Sequence, residues 1–486
     1  MNEKNTEDTF YVDRKDFSGW YNEIIDRAGI VDRRYPVKGM PVFLGYGYFI
    51  HDRIMRFMEE IWNRTEHQKM LFPALIPENL FTLEAHHIKG FEGDVYWIEK
   101  AGFNELEERL LLRPTSEVPM YHMFSLWIRT HNDLPFKIYQ TCAIYRYETK
   151  STRPLIRARE VPWNEAHTAH DSFKDAERQI AEAWAGYDEL FEKYLGITGI
   201  KFKRPEWDKF PGAVYTSAMD LLMPDGKVLQ IVGCHNLGQN FSKVYGIVFE
   251  KPDGTKDYVW QTSYGVSTRL LASVISVHGD NRGLILPPEV APVQVVIIPI
   301  IFKGKEEIVM NKCMEVKKML SENGIRVKID ERTKTPGNKY YYWEMKGVPL
   351  RIDIGPKDVE KSHVVCVRRD NREKYFVKED SILEFVKKIL AEIFNNISKK
   401  YVESLNKHIH NVESIDSLKD TMKNGGFARV PFCSVGEDGL ACNEKIKEMG
   451  YDVRGTLYGS DELPDNKKCI VCGKEASNYV YIAKSY

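Results

Sequence analysis

The chain has 486 residues, of which 43% are hydrophobic and 29% charged, and its formal net charge is −1. These proportions are typical of a globular protein and exclude a disordered or fibrous one, while the length predicts two or three domains. No apolar run approaches the roughly 20 residues that cross a bilayer, and the first residues lack the apolar stretch of a secretory signal. We therefore expect a cytoplasmic protein without a membrane partner.

The first region, residues 16–288, combines amphipathic helices with strand-like segments. Its clearest helix is predicted to begin after the N-cap Ser172, to keep apolar residues at helical spacing up to Tyr194 and to end at Gly196. Strands are predicted over residues 137–148, 228–235, 243–250 and 257–262. Because Pro252-Asp253-Gly254 lies between the last two as a hairpin turn would, we expect an antiparallel sheet.

A second region begins after Leu286-Pro287-Pro288, which has the composition of a linker. Residues 293–301 are an almost continuous apolar run, as expected of a strand that is buried on both faces. The pattern of a compact α/β domain is completed by a helix over 306–323, strands over 325–330, 350–354 and 363–368, and a closing helix over 381–394. The third region, residues 396–486, contains a cluster of cysteines.

Four segments of the first region contain clustered arginines, carboxylates and histidines. In chain order they are Arg113-Pro114-Thr115-Ser116-Glu117; Tyr145-Arg146-Tyr147-Glu148, followed by Trp163-Asn164-Glu165-Ala166-His167; Gln230, followed by His235-Asn236-Leu237-Gly238-Gln239-Asn240-Phe241; and Tyr264-Gly265-Val266-Ser267-Thr268-Arg269, followed by His278-Gly279-Asp280. The planar guanidinium of arginine can bind a phosphate or a carboxylate through two hydrogen bonds. Such segments therefore favour a site for a phosphate-containing substrate.

In this order and at this spacing, the segments resemble the motifs of class II aminoacyl-tRNA synthetases. Arg146-x-Glu148 is similar to motif 2, Gly265-Val266-Ser267-Thr268-Arg269 to motif 3, and Leu71-Phe72-Pro73 to motif 1, which in the family lies at a homodimer interface. The Thr115-Ser116-Glu117 loop and the string that begins at His235 resemble prolyl-tRNA synthetases of the archaeal and eukaryotic type. Each motif alone is weakly specific, but four in order are very specific.

The resemblance implies three domains. Residues 1–288 would be the class II catalytic domain, an α+β fold with an antiparallel β-sheet flanked by helices; residues 289–395 an α/β anticodon-binding domain; and residues 396–486 a small α+β domain that contains zinc. The implied activity is that of a proline–tRNA ligase, which uses ATP and Mg²⁺ to activate L-proline, transfers it to tRNA(Pro), and works as a homodimer. Between motifs 2 and 3 the chain is only long enough to complete the catalytic sheet, so we expect no editing domain.

The resemblance also assigns the ATP site. Arg146 would bridge the α-phosphate of ATP and the carboxylate of proline, and Arg269 would bind the γ-phosphate, which makes these arginines the candidate catalytic residues. The other ATP-binding residues that the family implies are Glu148, Arg157, Gln230 and Ser267, with Gln230 helping to place ATP with its Mg²⁺. Taken alone, an Arg-x-Glu pair is more often a surface ion pair between strands, and this alternative is the one to exclude.

A proline site needs one carboxylate for the ring ammonium and apolar or aromatic walls for the ring itself. By resemblance, Thr115 and Glu117 would bind the ammonium group. The residues that would line the ring are Trp163, His167, Phe210 and His235, supported by Glu165. The alternative for these aromatic residues and histidines is ordinary core packing.

Two positions depart from the family pattern. Gly233-Cys234 precedes His235 where small hydroxyl residues are expected, and Tyr264 stands where tryptophan is commoner. Neither departure removes a charged group, but the first leaves the polarity of the proline pocket open.

The cysteine cluster has the form of a structural zinc site. Cys469-Ile470-Val471-Cys472-Gly473 matches the C-x₂-C-G turn of a zinc knuckle, and Cys433 and Cys442 are candidates for the other two thiolates of a tetrahedral site. The spacing between Cys433 and Cys442 is wider than the family's. Two unrelated pairs of reduced cysteines are the alternative.

In the second region, the resemblance places anticodon recognition in residues 339–353, with Glu344, Lys346, Arg351 and Asp353 as candidates. Carboxylates beside basic groups suit the hydrogen-bonding edges of unstacked bases, although mixed charges more often form a solvated face. The final residue, Tyr486, is expected to dock near the active site, because relatives of this type also end in a tyrosine that folds back.

Three rival functions agree less well with the sequence. A threonyl-tRNA synthetase would need a catalytic zinc bound by Cys and His in the core, and a seryl-tRNA synthetase would need a long N-terminal coiled coil; neither is evident in the sequence. A synthetase-like binding protein would have lost its catalytic arginines, whereas Arg146 and Arg269 are both present.

Overall fold

The computed structural model describes residues 13–83, 93–149 and 152–486. In the first region, the described helices are α1 Phe17–Arg27, α2 Gly45–Arg64, α3 Glu78–Phe81, α4 Glu117–Trp127, α5 Phe173–Leu190, α6 Asn240–Tyr245 and α7 Arg269–His278. Helix α5 begins as predicted, since the Ser172 hydroxyl accepts a hydrogen bond from the Asp175 amide at 3.3 Å. It continues into the π-helical turn Phe191–Leu195, and Gly196 ends it in the left-handed conformation.

The strands of the first region are β1 Val31–Asp32, β2 Val42–Phe43, β3 Gln68–Lys69, β4 Leu75–Pro77, β5 Tyr96–Ala101, β6 Asn104–Leu112, β7 Phe136–Tyr145, β8 Glu160–His170, β9 Ile200–Lys203, β10 Tyr215–Leu222, β11 Val228–Gly238, β12 Val248–Glu250, β13 Lys256–Tyr258 and β14 Trp260–Ser267. Six of them form the antiparallel order β9-β10-β11-β14-β8-β7, and β3 joins the edge in parallel. The predicted antiparallel sheet is confirmed.

Alternation along β8 gives the two faces of this sheet different roles. Asn164 faces helix α2, where its side-chain oxygen accepts a hydrogen bond from Trp62 Nε1 at 2.8 Å. Trp163, Glu165 and His167 point to the opposite face, because successive strand residues alternate. Helices α2, α5 and α7 bury the first face in a large apolar core, and the second face is left for the site.

One predicted strand is partly wrong. Residues 243–245 belong to helix α6, and only Val248–Glu250 is a strand. Phe241 and Tyr245 are both buried at helical spacing, so the apolar pattern that suggested a strand is that of a short helix. The predicted strand over 257–262 is divided between β13 and β14, and β13 pairs with β12 across the Pro252-Asp253-Gly254 turn as expected.

The second region contains β15 Val295–Pro299, α8 Glu306–Glu322, β16 Val327–Ile329, α9 Pro336–Lys346, β17 Leu350–Ile354, α10 Pro356–Glu360, β18 His363–Arg368, β19 Lys374–Lys378 and α11 Ile382–Lys407. Its five-stranded sheet has the order β16-β15-β17-β18-β19, with β15 parallel to both of its neighbours and the last two pairings antiparallel. The α/β prediction is confirmed. Helix α11 is longer than predicted, because Ile397, Tyr401 and Leu405 continue its buried stripe.

The third region contains β20 Ile409–Asn411, α12 Ile415–Met422, β21 Phe427–Phe432, α13 Leu440–Glu448, β22 Asp452–Leu457 and β23 Asn478–Ala483. The sheet of the third region is continuous with that of the first region. Strand β22 pairs with β9, with Thr456 opposite Lys203 and Leu457 opposite Phe202, so that one 11-stranded sheet runs through both regions. No helix in the described ranges is long and apolar enough to cross a membrane.

Candidate active site

A cavity of about 380 Å³ opens on the face of β8 opposite helix α2. Among the residues that line it are all those assigned above to proline and ATP: Thr115, Glu117, Arg146, Glu148, Arg157, Trp163, Glu165, His167, Phe210, Gln230, His235, Ser267 and Arg269. They come from β8, β11 and β14, from the loops that follow β6, β7 and β9, and from the first residues of helices α4 and α7. The fold thus brings together segments that are far apart in the sequence.

Three arginines make one end of this cavity basic. Arg146 donates from Nε to the carbonyl oxygen of Pro114 at 3.0 Å, and its guanidinium lies 6.0 Å from the centre of the Trp163 ring. Arg269 is anchored by the carbonyl oxygens of Ile156 and Gln230, at 3.0 and 2.9 Å. Burial, followed by the nearby positive charges of Arg146 and Arg157, lowers the pKa of Arg269 to about 10. An anion would relieve this repulsion, so this end suits phosphate groups.

The third arginine, Arg157, is held by both the first region and the end of the chain. Arg157 Nε lies 3.9 Å from a carboxylate oxygen of Glu148, and its Nη2 donates to the main-chain oxygen of Tyr486 at 3.3 Å. The main chain of β11 also binds this terminus, because Val228 donates to Lys484 O at 2.8 Å and accepts from the Tyr486 amide at 3.2 Å. Tyr486 thus lies beside the cavity-lining residue Arg157, and its support of an active site stays a prediction.

The opposite end of the cavity is acidic. Glu117 is the first residue of helix α4 and is 3% exposed, and its carboxylate accepts a hydrogen bond from the Thr115 hydroxyl. A buried carboxylate with this little solvent favours a cationic ligand, because an unpaired charge is costly away from water. This end therefore suits an ammonium group.

Beside Glu117, a second carboxylate belongs to a hydrogen-bonded network. Glu165 lies 3.0 Å from His167 Nε2 and accepts from Gln140 Nε2 at 2.7 Å. The hydroxyl of Tyr121 lies 3.0 Å from His167 Nδ1. Burial alone would raise the pKa of Glu165, but the hydrogen bond and charge of His167 lower it overall. Glu165 thus stays ionised and fixes the orientation of His167.

Aromatic residues line the space between the two ends. The rings of Phe210 and His235 have their centres 4.6 Å apart, and Thr216 Oγ1 lies 2.9 Å from His235 Nδ1 and accepts from the Phe210 amide at 2.8 Å. Burial lowers the pKa of His235 to about 3, so this imidazole is neutral. A neutral, aromatic wall suits a small apolar ring.

The two departures from the family pattern have different positions. Cys234 is fully buried in the core on the helical face, away from the cavity, whereas Gly233 lines the cavity. Tyr264 is buried, with its hydroxyl 2.5 Å from His67 Nε2 and 3.0 Å from Gln179 Nε2. The hydroxyl therefore has polar partners on the helical side of the sheet.

Several supporting residues were missed by the sequence analysis. They are Tyr121, Gln140, Arg204, Thr216 and Asp220. Gln140 and Glu165 are directly opposite each other on β7 and β8, as are Asp220 and Gln230 on β10 and β11. The strand register that creates these pairs is a long-range property, and the local sequence gives no signal for it.

The four cysteines of the predicted metal site do come together. Their sulfur atoms all lie within 4.8 Å of one another, and those of Cys433 and Cys442 are 3.6 Å apart. A tetrahedral zinc with Zn–S bonds of about 2.3 Å needs sulfur atoms roughly 3.8 Å apart. The donor set and its spacing therefore fit a four-thiolate structural metal site.

The candidate anticodon residues divide into two groups. Glu344, Arg351 and Asp353 are connected, because Arg351 lies 3.8 Å from Glu344 and its Nε donates to Asp353 at 2.9 Å. Lys346 contacts the first region, where it donates to Ala28 O at 2.6 Å and lies 4.5 Å from the centre of the Tyr46 ring. Glu344 also accepts a hydrogen bond from Arg282 of that region, at 3.1 Å.

Comparisons with known proteins agree with this geometry. Residues 96–278 match the class II core domain of tRNA synthetases (G, H, P, S and T), residues 294–389 an anticodon binding domain, and residues 415–486 the C-terminal domain of prolyl-tRNA synthetase. The chain is 50% identical to the proline–tRNA ligase of Pyrococcus abyssi and 51% identical to that of Thermococcus kodakarensis, in each case over 98% of this chain and 100% of the relative. The structure of Giardia lamblia prolyl-tRNA synthetase in complex with prolyl-adenylate matches with a TM-score of 0.95 and 41% identity, over 98% of this chain and 100% of the other.

Proposed function

The chain belongs to the prolyl-tRNA synthetases, a family of ATP-dependent class II aminoacyl-tRNA ligases, and we propose that its cavity activates L-proline and passes it to the 3′ end of tRNA(Pro). The observation that supports this most strongly is the polarity of the cavity. A basic end with Arg146, Arg157 and Arg269 faces an acidic end with Glu117, and aromatic side chains lie between them.

In the first step, a carboxylate oxygen of proline attacks the α-phosphorus of ATP. The new bond is O–Pα, the bond that breaks joins Pα to the bridging oxygen of the β-phosphate, and pyrophosphate leaves. No side chain has to take a proton, so catalysis depends on positioning and on charge stabilisation. Arg146 interacts electrostatically with Glu117 as well as with Arg269, and it would neutralise both the carboxylate and the α-phosphate. Arg269 would bind the γ-phosphate, which leaves as part of pyrophosphate.

Proline would be selected by its secondary ammonium and its ring. Glu117, supported by Thr115, would accept hydrogen bonds from the ammonium group, and the ring would contact Trp163, Phe210 and His235. Glu165 and His167 would hold this wall in place. An amino acid with a primary ammonium group and a larger or branched side chain would not fill the same space. This difference supports selection by shape.

In the second step, a ribose hydroxyl of the tRNA end attacks the activated carbonyl carbon, and AMP leaves.

The second region supplies the anticodon contact, with Glu344, Arg351 and Asp353 as the proposed readers. We assign catalysis to residues 1–288, anticodon binding to 289–395 and zinc binding to 396–486. Helix α11 then runs from the second domain into the third.

Two metals belong to this proposal. Mg²⁺ would accompany the phosphates of ATP and supply charge neutralisation, and Glu148 is the cavity carboxylate placed beside Arg157 to contact it. A structural Zn²⁺ would be held by Cys433, Cys442, Cys469 and Cys472. That cluster is the one group of three or more metal-ligating side chains found in the part of the chain that the structure describes.

We further propose a cytoplasmic homodimer without an editing domain. Motif 1 supports the dimer, since Leu71 is 78% exposed beside the buried Phe72. The chain between motifs 2 and 3 supports the absence of an editing domain, because strands β8 to β14 and their connections take up that segment.

ATP–pyrophosphate exchange with each of the twenty amino acids tests the function. Exchange that depends on proline is expected. A folded protein that exchanges with threonine or serine instead, or with none, would overturn the proposal.

A further inference from the structure

The string His278-Gly279-Asp280 ends helix α7, and each of its residues makes a specific contact. His278 Nε2 donates to the main-chain oxygen of Leu195 at 2.8 Å, and burial lowers the pKa of this imidazole to about 4, so it is neutral. A Cβ atom at Gly279 would lie 2.7 Å from the Trp20 ring, so a side chain there would clash. Trp20 Nε1 in turn donates to the main-chain oxygen of Asp280 at 2.9 Å. These contacts hold the end of the helix on the first region.

The side chain of Asp280 binds the second region. Arg369, which directly follows β18, donates from Nη1 and Nη2 to the two carboxylate oxygens at 2.9 and 2.6 Å. The Arg369 side chain is 2% exposed, and its Nε donates to the main-chain oxygen of Glu344 at 3.1 Å. Burial alone would raise the pKa of Asp280, but the hydrogen bonds from Arg369 lower it overall, so the carboxylate is ionised. A planar guanidinium that is bound through all three nitrogens fixes the geometry between its partners.

The turn after Asp280 packs against the same part of the second region. Gly283 has a φ of +142°, and a Cβ atom there would lie 2.4 Å from the Cα atom of Met345 in helix α9. Arg282 donates to the carboxylate of Glu344 at 3.1 Å. The two regions are therefore in direct contact at this point, which we call the α7 joint and which consists of residues 278–283, Glu344 and Arg369.

The packing beside the α7 joint is open. A cavity of about 640 Å³ lies there, and the residues that line it come from all three regions, among them Val277, His278, Asp280, Asp370 and Asn424. Atoms that line a cavity have no packing partner on that side. The position of the helix end is therefore set by its polar contacts, to which the second region contributes the ion pair of Arg369.

Helix α7 connects the joint to the basic end of the candidate ATP site. It has 10 residues, which span about 15 Å, and Arg269 is the first of them. Most of the helix is buried in the large apolar core, so it moves as one body. The guanidinium of Arg269 is anchored on Ile156 and Gln230, which lie outside the helix. A shift of the helix therefore displaces the backbone of Arg269 relative to the anchors of its side chain.

We propose that Arg369 is a positioning residue for ATP: its ion pair with Asp280 fixes the end of helix α7, and the helix transmits this constraint to Arg269. The inference rests on the proposed function, in which Arg269 binds the γ-phosphate. It gives the second region a role in nucleotide binding that does not require tRNA.

The variant Arg369→Gln tests this role, with Arg368→Gln as the matched control. Arg368 is also buried and also binds a carboxylate through two nitrogens, but its partner Asp370 belongs to the second region itself. Equilibrium binding of ATP and of AMP is measured without tRNA, because AMP lacks the γ-phosphate that Arg269 would bind. Arg369→Gln should weaken ATP binding roughly 3- to 30-fold and AMP binding less than about twofold, whereas Arg368→Gln should change neither.

An equal loss of affinity for ATP and AMP, or no loss for either, would mean that the ion pair only joins the two regions, and the proposal would be wrong. The same conclusion follows if Arg368→Gln and Arg369→Gln have equal effects on ATP. If Arg369→Gln does not fold, Asp280→Asn keeps the shape of the side chain and is measured in its place, with the same result expected. A wild-type protein without proline-dependent exchange overturns the proposed function instead, and this result is separate because the binding measurements use no proline.

Discussion

His167 Nε2 lies 3.0 Å from a carboxylate oxygen of Glu165, and both side chains are buried. Burial alone would lower the pKa of His167, but the hydrogen bond to Glu165 and the negative charges of Glu117 and Glu165 raise it overall. The pKa of Glu165 is lowered by the same pair. A hydrogen-bonded pair of histidine and carboxylate therefore supports this end of the cavity.

The stability that this pair contributes should depend on pH. The ordinary pKa values are 4.5 for Glu and 6.5 for His. The contribution of His167 is fully present below its ordinary pKa and is lost as pH rises through its raised value, whereas that of Glu165 is present above its ordinary pKa. The destabilisation by His167→Gln should therefore be largest, at about 3 kcal/mol, between these two values and should shrink at higher pH.

Urea denaturation of wild type and variant at pH 5.5 and pH 8.5 measures this difference. His410→Gln changes an exposed histidine and is the control. An equal destabilisation at both pH values would contradict a charged His167.

Removal of Arg146 should affect chemistry more than folding. Arg146→Ala is expected to slow proline-dependent pyrophosphate exchange about 10²- to 10³-fold, because one preorganised group that stabilises developing charge is lost. Arg56→Ala is the control, since Arg56 is exposed and pairs only locally with Asp52. If folded Arg146→Ala exchanged at nearly the wild-type rate, its assignment as a catalytic residue would be wrong.

The local sequence pattern predicted most elements of the fold. Helix α5, strand β15 and the turn at Pro252-Asp253-Gly254 were all evident from residue spacing, because each depends on neighbours in the chain. The strand predicted over residues 243–250 was partly wrong, since a short run of apolar residues does not distinguish a strand from one helical turn. The pairing of β22 with β9 was not predicted, because two distant strands must meet to form it.

The candidate site likewise contains residues that local motifs predict and residues that only the fold reveals. Arg146 and Glu117 were identified through motifs, and the motifs consist of the residues at the cavity surface. Gln140 and Asp220 lie on neighbouring strands, opposite other residues of the cavity surface. Only the strand register reveals these positions. Lys346 illustrates the reverse limit, because a charge pattern does not tell which charged residues face solvent and which face another domain.

The zinc proposal predicts one metal ion per chain. Cys472→Ser should lose the metal and lower the midpoint of thermal unfolding, because binding to a site that forms only in the folded chain stabilises folding. Cys313→Ser is the control, since Cys313 is buried in the second domain, away from the cluster. Metal analysis of protein purified without added zinc measures the content. A folded and active preparation without metal would contradict the proposal.

Substitution of Arg351 should weaken tRNA recognition more than substitution of Lys346. Arg351→Ala should raise the KM for tRNA(Pro) in aminoacylation by roughly 5- to 50-fold and leave proline-dependent exchange unchanged, as expected for a contact made only with tRNA. Lys346 contacts Ala28 of the first region, and burial lowers its pKa to about 8. Lys346→Met should therefore change the KM for tRNA less than Arg351→Ala does. The opposite order would assign base reading to Lys346.

The end of the chain gives the last prediction. Tyr486 binds Arg157 through its main-chain oxygen, β11 through its amide and Asp225 through its hydroxyl, at 2.9 Å in the last case. Deletion of Ser485 and Tyr486 removes all three contacts and frees Arg157 from one of its two anchors, so exchange should slow roughly tenfold through a higher KM for ATP. Tyr486→Phe is the matched control, because it removes only the hydroxyl and should keep most of the activity. Metal content is measured in parallel, since the deletion lies beyond all four cysteines and should leave zinc bound. If the deleted protein keeps its zinc and its full exchange rate, the terminal residue stabilises only the strand before it, and its contact with Arg157 has no part in activation.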